Sequence, residues 1–410
     1  MEGRNSPNPA ERMRKMKPER VVYADHSATT PLRQEALAAM LPYLTEKYGN
    51  ASGIYSIGRR SREAVERARR TTAQALGALP EEIFFTSCGT ESDNWAIKGA
   101  AEAYGTQGRH IITTAVEHHA VLHTCEHLER QGFRITYLPV DAEGMVLLEA
   151  LERALTPDTI LVSVMMANNE VGTINPIGRI GEMLRGKGVL LHVDAVQAVG
   201  NLPIDVRKLH VDMLSVSAHK FYGPKGVGAL YIRKGLKLPS YMDGGAQERG
   251  RRAGTENVAG IVGMAEAIRL AVEELPEHAA YLESLRERLI QGVLEEIPGS
   301  RLNGARYNRL PGHANFGFSR VDGEELLLCL DLAGIAVSTG SACTAGETEP
   351  SHVLSAMGKS REEAYESLRI TLGSENTEED VDYILRQLKT HIERLRQMSP
   401  GYERKSSLIR

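Results

Sequence analysis

Across residues 61–275, short apolar runs alternate with longer stretches of helical period. βαβ units impose that alternation, and it confines the chain to an α/β fold built on a mostly parallel sheet. Seven runs read as strands: 83–86, 110–114, 134–139, 160–166, 189–193, 213–217 and 228–232. The central ones are continuously apolar, as strands covered on both faces are. Helical period is clearest over 61–76, where Ala64, Val65, Ala68, Ala75 and Leu76 share a stripe, and over 258–275. Near Pro276 the pattern changes: charged helical stretches at 279–296 and 378–398 flank short apolar segments at 315–318 and 335–338. The expected organisation is a flexible tail (1–22), a large domain (23–275), a smaller α+β domain (276–399) and a second flexible tail (400–410).

Composition narrows the function classes. With 49 Lys and Arg against 53 Asp and Glu, the net charge of −4 supplies no general attraction for nucleic acid or acidic membranes. No run approaches the roughly 18 apolar residues of a membrane span, and the first twenty residues hold Glu2, Glu11 and Glu19 instead of the apolar core of a secretory signal. The four cysteines, Cys88, Cys125, Cys329 and Cys343, form no Cys-x-x-Cys pair, which fits reduced thiols in a cytoplasmic setting and no zinc site. His118, His119 and His123 lack a completing carboxylate or cysteine at zinc spacing, so no metal is expected.

Several strands run directly into polar clusters, and the carboxyl ends of strands are where open α/β sheets bind ligands. Thr86-Ser87-Cys88-Gly89-Thr90-Glu91 precedes a helical pattern over 94–104 and reads equally as an anion site at a helix start or as a capped turn. Met166-Ala167-Asn168-Asn169-Glu170 is a second such cluster. Asp194 ends an apolar strand, where it serves a cationic partner, a cap or an ion pair. Lys220 follows another, in Ser217-Ala218-His219-Lys220, where partial desolvation favours an imine-forming amine, although most lysines reach for water. Phosphate turn, strand-end aspartate and strand-end lysine in that order describe a pyridoxal phosphate site.

With these residues in hand, the chain resembles the cysteine desulfurases of the NifS/IscS type, within the class V aminotransferase group of fold-type I pyridoxal phosphate enzymes. The motifs are Tyr23-Ala24-Asp25-His26-Ser27-Ala28-Thr29-Thr30-Pro31, residues 86–94, Glu117-His118-His119-Ala120-Val121, Asn168-Asn169-Glu170, Asp194-Ala195-Val196-Gln197, residues 217–226 and Arg252-Ala253-Gly254-Thr255. The resemblance implies that Lys220 binds the coenzyme's aldehyde, Asp194 pairs with its ring nitrogen, His118 stacks on the ring, Gln197 bonds its phenolic oxygen, and Asn169 lies beside that oxygen and the substrate. It implies phosphate ligands at Gly89, Thr90, Ser217 and His219, with Thr255 contributed by the other subunit of a homodimer.

Ser338-Thr339-Gly340-Ser341-Ala342-Cys343-Thr344 sets one thiol among small residues, suited to a mobile loop, whereas Cys329 within Leu326-Leu327-Leu328-Cys329-Leu330 reads as buried packing. Cys343 is therefore the candidate nucleophile, and similar loops in the family carry the catalytic cysteine. Arg369, flanked by apolar residues, calls for an anion; the resemblance makes it the anchor of the substrate carboxylate, its rival being a structural salt bridge. Ala51 and Tyr55 stand where many relatives carry Pro and His, and Cys88 where glycine is common.

The implied reaction converts L-cysteine to L-alanine, with Lys220 and His118 moving protons and the sulfur passing to Cys343 as a persulfide. From there it goes to an acceptor protein, an iron–sulfur scaffold or a thiolation relay. A selenocysteine lyase, another transaminase or lyase of the same fold, and a catalytically silent scaffold are the alternatives. The scaffold reading predicts loss of Lys220, Asp194 or Cys343, and all three are present.

Overall fold

In the computed structural model, which describes residues 20–339 and 350–398, each of the seven apolar runs is a strand of one sheet. After a two-residue strand β1 (Val22–Tyr23) come β2 (Ile83–Thr86), β3 (His110–Thr114), β4 (Arg134–Leu138) and β5 (Thr159–Met165). β6 (Leu190–Asp194), β7 (Met213–Ser217) and β8 (Gly228–Ile232) complete the set. The order across the sheet is β2-β8-β7-β6-β5-β3-β4. β8 runs against both its neighbours and the other pairings are parallel, so the sheet is mostly parallel as expected. Six strands thereby bring their last residues, Thr86, Thr114, Leu138, Met165, Asp194 and Ser217, to one edge.

The helices that support this edge are α1 (Gln34–Thr45), α2 (Ser56–Leu76), α3 (Gly89–Tyr104), α4 (His119–Arg130) and α5 (Val258–Glu273). α2 buries Ala64, Val65, Ala68 and Leu76 and ends at Gly77, whose φ of 69° is the left-handed cap that glycine adopts without strain. It starts five residues before the expected position, because most of its first turn is exposed and leaves no apolar signal. The next helix, α6 (Leu275–Glu296), also starts early: Pro276 sits in its first turn, where a missing N–H costs nothing.

The main elements of the second lobe after α6 are β9 (Ser300–Asn303), β10 (His313–Phe318), α7 (Gly323–Leu332), β11 (Ile335–Ala336), β12 (Ser367–Thr371) and α8 (Glu378–Met398). β12, β10 and β9 form an antiparallel three-stranded sheet, and β11 pairs in parallel with β1. Phe316, Phe318, Leu326, Leu368 and Leu388 fill a core between this sheet and its helices, each worth about 1.5–3 kcal/mol of burial. Val22 and Ala24 pack into that same core, so the start of the described chain belongs with the second lobe. Cys329 departs from expectation. α7 turns only Leu326 and Leu330 fully inward, leaving Leu328 and Leu332 exposed and Cys329 half-buried, since five successive helical residues cannot share one face. Among the described residues no helix is long and apolar enough to cross a membrane.

Candidate active site

A cleft of about 290 Å³ opens at the carboxyl edge of the main sheet. It gathers Gly89, Thr90, His118, Asn169, Asp194, Gln197, Ser217, His219, Lys220 and Arg369, all singled out from the sequence. Thr255 is exposed and lies outside the cleft. Cys343 lies outside the described residues.

One end of the cleft is the start of α3, which begins at Gly89 instead of near residue 94 because small and polar residues fill its first turn. The first N–H to find a backbone acceptor within this helix is that of Ser92, on the Cys88 carbonyl, so those of Gly89, Thr90 and Glu91 have no intrahelical acceptor. A Cβ on Gly89 would stand 2.6 Å from Cγ2 of Val196, so glycine is what lets the helix start approach the end of β6. The Glu91 carboxylate accepts the Ser87 N–H (2.8 Å) and two hydrogen bonds from Arg252 (2.7 and 3.0 Å), which ties residues 252–255 to α3. Burial raises the Glu91 pKa, but the hydrogen bonds from Arg252 and Ser87 outweigh it and hold the carboxyl below its ordinary range.

The floor is formed by the ends of β6 and β7. Asp194, the last residue of β6, accepts the Val196 N–H at 2.9 Å. Burial pushes its carboxyl up to about 6, against the pull of that hydrogen bond and of the Lys220 charge. Lys220 ends a single helical turn after β7, and its Nζ donates to the carbonyls of Ser27 (2.5 Å) and Ala28 (2.8 Å). Gln197 Nε2 donates to the same Ser27 carbonyl at 3.0 Å. His118 caps α4: its Nδ1 accepts the Ala120 N–H at 3.1 Å, which leaves the ring proton on Nε2. Burial first, then the Lys220 charge and the histidines at 119, 352 and 123, lower it to about 4, so the ring is neutral at pH 7. His219 is brought to about 4 by burial and by Lys220 and Lys225, with Nδ1 3.1 Å from Thr29 Oγ1.

The facing wall comes from the second lobe. Arg369, central in β12, donates from one terminal nitrogen to Asp25 Oδ1 (2.8 Å) and from the other to the Asn169 carbonyl (3.0 Å). Ser27 Oγ donates to that carbonyl too, at 2.7 Å. Nε of Arg369 is buried with no hydrogen-bond partner. A buried N–H of this kind is costly unless an acceptor reaches it, and a carboxylate does so with a charge-assisted bond.

Residues 22–384 match the family described as Aminotransferase class-V. The chain belongs to the class-V aminotransferase family. It is 54% identical over 384 residues to the cysteine desulfurase IscS of Clostridium botulinum, covering 93% of this chain and 97% of that protein. Identity is 55% over 381 residues to the protein of the same name from Methanosarcina thermophila, covering 93% and 94%. Among solved structures, a NifS-like protein superposes with a TM-score of 0.86 at 44% identity, over 91% of this chain and 100% of that one. An apo cysteine desulfurase from Thermococcus onnurineus NA1 gives a TM-score of 0.82 at 26% identity, over 95% and 99%.

Pyridoxal phosphate is the coenzyme of this family, and the donor set of the cleft fits it. Unpaired N–H groups at the start of α3, with Ser217 and the neutral His219 beside them, suit a phosphate. Asp194 suits a protonated ring nitrogen, and Lys220 is an amine in the same cleft that suits an aldehyde. The structure adds residues that sequence reasoning passed over: Ser27, Asp25 and Asp93, together with Glu117, which takes the Thr114 hydroxyl and the Met165 N–H on Oε1. Asp25 and Ser27 stand in a motif already quoted, but nothing local announces that this motif bridges the lobes. Asp93 and Glu117 also fall within quoted motifs, and no local pattern marks either one. Among the described residues no group of three or more His, Cys, Asp or Glu is arranged to hold a metal ion.

Proposed function

We propose that this class-V aminotransferase is a cysteine desulfurase that converts L-cysteine to L-alanine and hands the sulfur to acceptor proteins. The observation that carries the reading is the convergence of Lys220, Asp194 and the open start of α3 on one cleft that Arg369 faces from the other lobe. Bound pyridoxal phosphate supplies an electron sink for charge developing at the substrate Cα. The phosphate would be held by Gly89, Thr90, Ser217 and His219, the ring by Asp194, His118, Gln197 and Asn169, and the aldehyde by Lys220.

The protein's own groups divide the remaining work. Arg369 holds the substrate carboxylate through its unpaired Nε and fixes which bond at Cα faces the lysine. Lys220 Nζ takes and returns the Cα proton, held in place meanwhile by the Ser27 and Ala28 carbonyls that accept its hydrogen bonds. His118, neutral and protonated on Nε2, presents a donor and a flat face to the cleft without adding charge. At Cys343, the Sγ–S bond forms as the substrate Cβ–S bond breaks, so that L-cysteine and a thiol become L-alanine and a persulfide.

The acceptor in this proposal is an iron–sulfur scaffold or thiolation protein, in the cytoplasm. The working unit is a homodimer in which Thr255 completes the partner's phosphate site. Leu37, Leu41 and Leu44 form an exposed apolar face on α1, Ile54 and Tyr55 are exposed as well, and a second copy is the occupant that face fits. Replacing Cys343 tests the chemistry. Cys343→Ala is expected to bind the coenzyme normally, by its visible absorbance, while forming neither persulfide nor sulfide from L-cysteine. Full sulfide release by that variant rejects the mechanism.

A further inference from the structure

The cleft floor holds a second carboxyl beside Asp194. Asp93, one turn into α3, lines the cleft and is 1% exposed. The polar groups packed around it are Asp194 and His192 from β6, Ser215 from β7, Glu117 from the connection before α4, and Cys88 at the start of its own helix. Among the described residues the only basic side chain paired with it is His192, whose Nε2 is 3.6 Å from Asp93 Oδ1, beyond a hydrogen bond. His192 is no cation: it is fully buried, and burial lowers it to about 3.

Polar contacts around Asp93 form a chain. The Ser215 hydroxyl sits beside the Asp93 carboxyl, where its influence favours the charged form, Ser215 Oγ lies 3.0 Å from His192 Nε2, and His192 Nδ1 lies 2.8 Å from Ser163 Oγ. The chain closes with its protons running either way, so it does not by itself settle the state of Asp93. Oδ1 does. That oxygen is buried with no hydrogen-bond partner. On a carboxylate it would be a charged atom stripped of every donor, next to a second carboxylate; on a carboxylic acid it is a bare carbonyl oxygen, which costs far less.

We propose that Asp93 is a positioning residue that keeps its proton, donates it to Ser215, and so reserves the negative charge of the cleft floor for Asp194. Ser215 then donates to His192 Nε2, and His192 Nδ1–H donates to Ser163. Burial, and after it the charge of Asp194, push Asp93 well above the ordinary carboxyl range, in the same direction as the geometry. Asp194 is left without an ionised neighbour to compete for the cation it serves. Only that last use of the charge rests on the coenzyme reading above; the protonation itself does not.

The test uses the full-length protein labelled with ¹³C at aspartate carboxyls, as purified and after removal of coenzyme. At about pH 8 the infrared spectrum is expected to show one protonated aspartate, absent in Asp93→Asn. Labelling aspartate alone keeps Glu117 out of the measurement. A spectrum with every aspartate ionised overturns the proposal, even if the variant does not fold. The melting temperature of Asp93→Asn relative to wild type is expected to rise between about pH 5 and about pH 8, because the amide has no proton to lose. A gap that narrows over that range also overturns it. In the loaded protein Asp93→Asn is expected to keep its coenzyme and the pH titration of its visible band, since one neutral donor replaces another. A displaced titration means that Asp93 carries charge. Failure of the wild-type protein to bind coenzyme would count against the proposed function and leave the infrared result untouched.

Discussion

On the floor of the cleft, Asp93 and Asp194 are carboxyls set among strand ends, with Glu117 buried near them, and burial is the largest influence on each. On the wall that faces them, Arg369 is a buried guanidinium met by the Asp25 carboxylate and the Asn169 carbonyl. The two sides manage charge by different means. Burial drives the acids of the floor toward their neutral forms, with the Val196 N–H and the Lys220 charge pulling Asp194 the other way; the wall keeps its charge by pairing it. In the proposed function, a substrate that brings a carboxylate to the wall and a coenzyme that brings a cation to the floor would complete both.

The comparison is broken most directly at the wall. Arg369→Lys replaces a planar fork by a single ammonium, and the KM for L-cysteine is expected to rise roughly 10- to 100-fold with a smaller change in kcat. Steady-state alanine formation reads this. A fall in kcat at constant KM would show that the wall does something other than hold the carboxylate.

The floor is probed by pH. Asp194 at about 6, Glu170 at about 7 and Glu117 at about 8 all bind their protons more tightly in the folded chain than their ordinary values allow, burial being the main cause. Each therefore contributes stability at low pH that disappears as pH rises through its folded value. Below about pH 6.5 the buried histidines, lowered to about 4 or less, oppose this trend, so the coenzyme-free protein should lose stability from about pH 6.5 to about pH 8, where they are neutral in the unfolded chain as well. Glu117→Gln is expected to flatten that slope and to raise the melting temperature at about pH 8 by a few degrees, by differential scanning calorimetry. An unchanged slope would mean that Glu117 is ionised, like the groups of the wall.

The smallest effect expected is at His118, which serves both the cleft and the helix behind it. His118→Ala removes the α4 cap at a cost of about 1 kcal/mol, and His118→Asn restores the cap. Denaturant unfolding should therefore separate the two variants while desulfuration stays low in both. Recovery of activity by the asparagine variant would reduce His118 to a structural role.

Much of the floor was legible in the chain because it is local. A strand ending in Asp194, a strand running into His219 and Lys220, and a turn opening α3 are short patterns whose chemistry survives without neighbours. Their bounds moved by a residue at most in the strands, and more in helices whose first turns carry no apolar signal, as at Ser56 and Gly89. Cys329 was misjudged for a related reason: an apolar run states hydrophobicity but not which residues of a helix face inward. Asp25 was in plain view within a motif, yet its partner Arg369 lies 344 residues away.

The order of apolar runs, strand ends and small-residue turns was enough to specify an α/β sheet with a lysine and an aspartate at its carboxyl edge, because those signals depend on spacings of a few residues. Which of the gathered acids hold protons, and which cation keeps a counter-ion, was decided only by folding. A charge state is set by desolvation and by partners brought from distant parts of the chain, and neither exists until the lobes close on each other.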